Sequence, residues 1–434
     1  MHRHLSRRSV LSAAFLAGTG LAGLSACGKD ETPQATAQKT TLQMAWWGST
    51  ERHTRTQNAL AVFTGRHPNV KIDPQFAPFD DYWEKLGTQA SSGALPDVVQ
   101  MDYSYIGSYV SKGYLRALDD LVPKTIDLTA FTPEVLAGGK FDNKLYGVNN
   151  GINCAALVVN TTLLQQMEIE PPDNTITWAD FAKLAKQVGK KTDGVYGTEY
   201  AAYNIAAIEC WMRQRGKQMF TADKTLGFSK GDLAEWFAYW EDLRKSKGAA
   251  SGELQASMAG DIQNRLAARR KTAIDFGNSN QLIGYSSMLK DQLQLRMFPH
   301  GPSGSKPGHY LKPSQLFSIS ATTQHPQEAG QLISGLLNDP EMTSILGSER
   351  GIAPSTTVRA ALKAKAGEVE KQTYEYIDYV SDKVGALPSP APSGGGDVTG
   401  KILTAAAQSV AFGKATVDQA VNKFFDDAAR TLKA

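Results

Sequence analysis

Between Leu42 and Gly113 strand-like and helix-like stretches alternate with short connections, and this alternation limits the fold more than any other feature of the chain. Leu42-Gln43-Met44-Ala45-Trp46-Trp47 reads as a strand closed by Gly48-Ser49. Ala59, Leu60, Val62 and Phe63 then recur at helical spacing within Thr54 to Thr64. His67-Pro68-Asn69 turns the chain into Val70-Lys71-Ile72-Asp73, a second strand that Pro74 marks for a sheet edge, because proline donates nothing to a ladder. Asp80 to Ser91 reads as a helix and Pro96 to Asp102 as a third strand, followed by a further helix. The succession predicts a mostly parallel sheet covered by helices on both faces.

The N-terminal segment is built for export. Arg3, Arg7 and Arg8 give a basic start, and Val10 to Leu24 is an apolar run broken by Gly18, Gly20 and Gly23. It falls short of the roughly 20 apolar residues of a membrane span and fits a leader. Leu24-Ser25-Ala26-Cys27 has the form of a lipobox, whose cysteine carries lipid and becomes the mature N-terminus. An unmodified Cys27 beyond an ordinary cleavage site is the alternative. Ser6-Arg7-Arg8-Ser9-Val10-Leu11 has the form of a twin-arginine signal. Residues 1–27 are therefore read as the signal with its lipobox and residues 28–40 as a polar tether. The expected location is the outer face of the cytoplasmic membrane, touched through lipid alone.

The 434-residue chain leaves about 395 residues to fold, enough for two domains. Its formal charge of +3 comes from 46 Lys and Arg against 43 Asp and Glu; without the leader's three arginines the two counts are equal. A balanced body argues against nucleic acid as a partner. With Cys27 assigned to lipid, Cys154 and Cys210 remain, both in apolar contexts that suit buried thiols, although an exported protein is free to pair them.

Further along, Cys154 to Asn160 reads as an apolar strand, and Thr177 and Asp180 open a helix as N-cap and third residue. Ser229 and Asp232 repeat that start. Trp178, Trp236 and Trp240 fall on apolar stripes and read as packing. Thr272 to Phe276, Leu293 to Phe298 and Leu316 to Ser320 are further strands. Pro388 to Asp397 is a Pro/Ser/Gly loop, and Thr416 caps a final helix.

An ordered series of short stretches runs through the chain: Trp46-Trp47-Gly48, Leu95-Pro96-Asp97-Val98-Val99, Tyr146-Gly147-Val148, Val159-Asn160-Thr161, Thr177-Trp178-Ala179-Asp180-Phe181, His325-Pro326-Gln327-Glu328-Ala329 and Arg350-Gly351-Ile352-Ala353-Pro354. With the lipobox ahead of them, the series resembles the extracellular solute-binding proteins of the sugar-binding family that includes maltose-binding protein. Tyr310 to Ser320 and Ala411-Phe412-Gly413-Lys414 are similar to the branch that takes oligosaccharides, including oligogalacturonides. The resemblance implies a type II periplasmic-binding-protein-like α/β fold, with two discontinuous lobes, a hinge and a ligand cleft between them. Residues 41–149 with 315–360 would form one lobe, and 150–314 with 361–434 the other. The crossings would fall near Asn149-Asn150-Gly151, near Lys312-Pro313-Ser314 and after Ala353. It also implies a monomer without cofactor that takes a mono- or oligosaccharide and passes it to ABC permease subunits.

In open α/β sheets ligands gather beyond the carboxyl ends of strands. Aromatic rings match the flat faces of a sugar, while Asp, Asn, Gln and Arg match its hydroxyls. On that basis Trp46, Trp47, Asp102, Tyr103, Phe276 and Asn278 are candidate contacts. Asn150 and Asn153 join them at the first crossing and Tyr310 at the second. Trp211 stands where the family often presents a stacking ring, with core packing as the alternative. Glu51 and Asp81 are candidate hydroxyl acceptors and Lys312 a partner for a uronate carboxylate; a solvated surface role is the alternative for all three.

Other chemistries lack their signatures. No His-Glu-x-x-His, Cys-x-x-Cys, phosphate loop or Gly-x-Ser-x-Gly occurs, so neither a metal nor a catalytic role is expected. The remaining enzyme reading is a glycoside hydrolase drawing two carboxylates from Asp81, Asp97, Asp102 and Glu209. A metal- or siderophore-capturing lipoprotein lacks its ligand cluster.

Overall fold

The computed structural model describes residues 39–257 and 262–433. The signal, the lipobox with Cys27 and nearly all of the tether lie outside the described residues. The body from Lys39 onward contains thirteen strands among the described residues.

In chain order they are β1 (Thr40–Trp47), β2 (Val70–Ala77), β3 (Val98–Met101), β4 (Lys140–Phe141), β5 (Lys144–Leu145), β6 (Val148–Asn149), β7 (Ile152–Asn153), β8 (Ala155–Asn160), β9 (Tyr196–Thr198), β10 (Thr272–Asn278), β11 (Leu293–Arg296), β12 (Lys312–Pro313) and β13 (Leu316–Ile319). The first sheet has the order β2-β1-β3-β13-β6, so β2 with Pro74 is an edge strand, as its proline requires. β2, β1 and β3 run parallel, and β13 runs against β3. Helices α1 (Thr50–Arg66), α2 (Phe79–Ser91) and α3 (Tyr103–Ser111) return the chain between them.

The second sheet, β11-β8-β10-β9, departs from the parallel expectation. β8 is antiparallel to both neighbours, and only β9 and β10 run together. The reversal follows from the crossing: the chain enters this sheet at Ala155, from the edge that its parallel strands leave. Two cores result. Leu42, Leu60, Phe63, Phe317 and Leu332 belong to the first, and Phe181, Trp236, Phe237, Phe276 and Phe424 to the second. Tyr374, Ile377 and Val380 cover the other face of the second sheet.

Three segments meet between the two sheets. β7 pairs with β12, Asn153 opposite Lys312, and Ile152 exchanges backbone hydrogen bonds of 2.8 and 3.0 Å with Ile352. Gly151 is required there, because a Cβ would lie 2.4 Å from both the Arg350 carbonyl oxygen and Ser314 Oγ. Ser314 Oγ itself donates to that carbonyl.

Candidate functional site

A cavity of ≈350 Å³ opens at the carboxyl edge of the second sheet. Its floor is the start of β8 (Ala155) and the end of β10 (Phe276 to Asn278). One wall is the stretch after β9, from Glu199 to Asn204, continued by the helix Ile205–Gln214; the opposite wall is Gly308 to Tyr310 with Lys312.

Polar groups inside it are held firmly. Asn204 caps its helix, accepting from the Ala207 amide at 3.1 Å while its Nδ2 donates to the Phe276 carbonyl at 2.8 Å. Glu199 accepts from the Phe276 amide at 3.3 Å and from Gln255 Nε2 at 3.4 Å. Behind it Asp275, fully buried, accepts hydrogen bonds from the Tyr285 hydroxyl at 2.6 Å and from the Arg265 guanidinium at 3.1 Å. Burial, reinforced by Asp275 and opposed by Arg265, pushes Glu199 up to about 7.

On the other wall Tyr310 donates to Glu209 at 2.6 Å. Burial raises Glu209 above the usual carboxylate range, against that hydrogen bond and the charges of Arg213 and Lys312. His309 accepts from the Phe298 amide at 3.0 Å, and burial lowers it to about 3, so its ring stays neutral. Lys312 faces the cavity with no carboxylate within ion-pair distance among the described residues, a cation available to a ligand.

Tyr103, on α3 after the first sheet, lies outside the cavity lining. Its hydroxyl donates to the Pro388 carbonyl at 2.6 Å, and the Glu209 charge acts on it after burial. The Pro/Ser/Gly loop is thus a strap: Leu387 approaches Gly138, and Pro390 approaches Gly107 on α3, while Gly394 returns to Thr431.

Of the residues expected from sequence, Phe276, Asn278, Tyr310 and Lys312 line the cavity, and Tyr103 is not among the lining residues. Phe276 does so through its backbone, for its ring stacks against Trp178 at 5.9 Å and meets Phe298 at 4.8 Å. Trp46 is corrected: its ring is fully buried beneath α1 and donates to His53 Nδ1 at 3.2 Å. Trp47 points to the opposite face of the strand, as period-2 alternation requires, and packs under Phe79, Tyr82 and Trp83. Trp211 is also corrected. It lies in the second core against Trp178 and Trp236, with the Arg215 guanidinium 3.4 Å over its ring.

Asp102 caps α3 through the Ser104 amide at 2.8 Å. Glu51 is exposed and paired with Arg55 on α1, and Asp81 is exposed on the first turn of α2. Asn150 and Asn153 sit in the crossing, away from the cavity lining; both Asn150 amide atoms and Asn153 Oδ1 are buried without a partner. Sequence reading missed Glu199, Tyr203, Asn204, Gln255 and Arg265, and weighed Glu209 only as a hydrolase carboxylate. Cys154 and Cys210 are buried free thiols, and no group of three or more metal-ligating side chains occurs among the described residues.

The sequence pattern of bacterial extracellular solute-binding proteins matches residues 58–373. The chain belongs to that family. Among solved structures, a periplasmic oligogalacturonide-binding protein from Yersinia enterocolitica, in complex with saturated digalacturonic acid, is 25% identical with a TM-score of 0.82, covering 91% of this chain and 99% of that one. A galactooligosaccharide-binding protein of Bacillus subtilis (strain 168) is 28% identical over 160 residues, 37% of each chain. An uncharacterised lipoprotein of Streptomyces antibioticus is 23% identical over 300 residues. That match covers 67% of this chain and 65% of the relative, so the chain spans less than two-thirds of these two relatives. No helix among the described residues is long and apolar enough to cross a membrane.

Proposed function

We propose that this solute-binding protein captures a sugar or oligosaccharide between its two lobes and delivers it to the permease of an ABC importer. The observation that carries the reading is the cavity at the carboxyl edge of the second sheet. Its volume falls in the range of small-molecule sites, about 300–1,000 Å³. Asn204, Asn278, Gln255, Glu199 and Lys312 suit hydroxyl recognition, and the names of the Bacillus and Yersinia relatives agree.

The lobes are taken as 41–149 with 315–360, and 150–314 with 361–434, a division supported by the helices that share each core. The protein acts as a monomer and binds without turnover. Asp97 is engaged by the Gln43 amide and Thr323, and Asp102 by its helix, so two of the carboxylates a hydrolase would draw on are already committed. Lipid on Cys27 tethers it to the outer face of the membrane, a reading supported by the lipobox and by the Streptomyces relative.

A thermal-shift screen over mono- and oligosaccharides tests the capture. A ligand at 100 times its Kd stabilises the folded state by about 2.7 kcal/mol, and a panel without any shift refutes it. Intact mass of the membrane fraction should show lipid on Cys27, and Cys27→Ser should release the protein; an unmodified N-terminus elsewhere refutes the anchor.

A further inference from the structure

Glu199 follows β9, lines the cavity and keeps only 3% of its surface exposed. Three neutral donors touch it. Its Oε1 accepts from the Phe276 amide at 3.3 Å and from Asn204 Nδ2 at 3.4 Å, and its Oε2 from Gln255 Nε2 at 3.4 Å. All three contacts are longer than an ordinary N–H···O hydrogen bond, about 2.7–3.2 Å. Neither side-chain amide is free to turn round. Asn204 Oδ1 accepts from the Ala207 amide at 3.1 Å, and Gln255 Oε1 from the Tyr200 amide at 2.9 Å. The Arg265 guanidinium also lines the cavity, but its ion pair is with Asp275, at 3.1 Å. A buried carboxylate held by long neutral contacts bears most of its desolvation cost, which the un-ionised acid avoids.

The titratable groups around Glu199 come from several segments. Tyr203 shares its stretch of chain, β10 brings Asp275, and Arg265 precedes that strand, with Tyr285 hydrogen-bonded to Asp275 from behind. Glu209, His309, Tyr310 and Lys312 line the rest of the cavity. Burial and then Asp275 favour the neutral form of Glu199, while Arg265 and the Gln255 and Phe276 hydrogen bonds oppose it. An un-ionised Glu199 has a hydroxyl to give. The three groups on its oxygens are donors and cannot take it, whereas an oxygen of a ligand in the cavity can.

We propose that Glu199 meets the captured ligand as an un-ionised acid, its carboxyl hydroxyl donating to a ligand oxygen, and that capture near neutral pH takes up a proton from solvent. The proposal rests on carbohydrate capture by the cavity and deepens it. The ligand presents an acceptor oxygen at Glu199, and a rise in pH favours its release.

Calorimetry with galactobiose and with digalacturonic acid tests this on wild type, Glu199→Gln and Glu209→Gln between pH 6 and 8. A group at about 7 is roughly nine-tenths un-ionised at pH 6 and roughly one-tenth at pH 8, so the wild-type Kd should weaken about ten-fold across that range. Titration in two buffers of different ionisation enthalpy should show about one proton taken up at pH 8 and almost none at pH 6. That uptake is read on wild type alone, whether or not a variant folds. Glu199→Gln donates through an amide that does not titrate, so its Kd should not vary with pH. Glu209→Gln, which alters the other buried acid of the cavity, should keep the wild-type slope. A wild-type Kd independent of pH and without proton uptake overturns the proposal and leaves capture intact. So does a slope that survives in Glu199→Gln, or one that only Glu209→Gln removes. If neither sugar binds wild type even at pH 6, capture of such sugars fails and the proposal falls with it.

Discussion

Changing Glu199 to Gln probes the electrostatics of the cavity floor. Burial and the neighbouring Asp275 hold Glu199 at about 7 in the folded chain, against 4.5 for the free side chain. Between those values the unfolded chain has released its proton and the folded chain has not. Stability from this group is therefore full below pH 4.5 and falls as pH rises through 7, by about 1.4 kcal/mol per pH unit. The whole loss is about 3 kcal/mol, and the contribution is flat above that range. Gln carries no such proton, and its oxygen still accepts from the Phe276 amide. Its amide nitrogen meets Gln255 Nε2 less well, a fixed offset that does not vary with pH. Urea unfolding of both chains from pH 4.5 to 8 reads the effect as a pH-dependent difference in stability. The gap should move by about 3 kcal/mol in favour of Glu199→Gln toward pH 8. A pH-independent gap would show that Glu199 is ionised throughout and that Arg265 outweighs burial and Asp275.

Three further outcomes follow from the geometry. Trp211→Ala should cost about 3–5 kcal/mol of stability in urea unfolding, with affinity per folded molecule unchanged; a binding defect without destabilisation would return the ring to the ligand. Tyr103→Phe leaves the Pro388 carbonyl without its donor, so limited proteolysis should cut the strap between Leu387 and Gly396 faster, and an unchanged rate would mean that this bond does not hold it. Gly151→Ala forces a methyl onto the Arg350 carbonyl and should destabilise by about 1–3 kcal/mol; a neutral result would mean that the crossing relaxes freely.

Much of the framework was legible because local signals carried it. Thr177 accepts from the Asp180 amide at 3.1 Å, and Ser229 with Asp232 forms a capping box, both from spacing alone. Pro74 announced an edge strand. The tandem tryptophans show where such reasoning stops. Strand alternation sends Trp46 and Trp47 to opposite faces, but only the helices that pack there decide whether either face is open, and both are covered. Trp211 failed for a related reason: a helix buried on several sides has no face that its pattern can identify as a site. The cavity residues were the least legible. Glu199 follows a three-residue strand, Asn204 looks like an ordinary cap, and Arg265 lies in a polar stretch. They converge from segments more than fifty residues apart, and no periodicity reports that convergence.

The crossings and the cavity share one edge, which separates the contacts that capture a ligand from those that close on it. Ala155 begins β8 directly after the first crossing, and Lys312 belongs to the second, paired with Asn153. Both line the cavity. A rotation of one lobe against the other about β7 and β12 displaces these residues least, so their contacts are much the same in open and closed forms. Tyr103 lies on α3, at the carboxyl edge of the first sheet, and already holds the strap through the Pro388 carbonyl. A ligand shifts a conformational equilibrium only by its difference in affinity for the two states. On the proposed capture, contacts at Lys312 would add to binding without favouring closure, whereas contacts to Tyr103 would favour closure in proportion to their strength. A ligand held wholly by the second lobe would have little with which to draw the first lobe in. On the proposed capture, a ligand that also touched α3 would favour closure by the strength of those contacts alone.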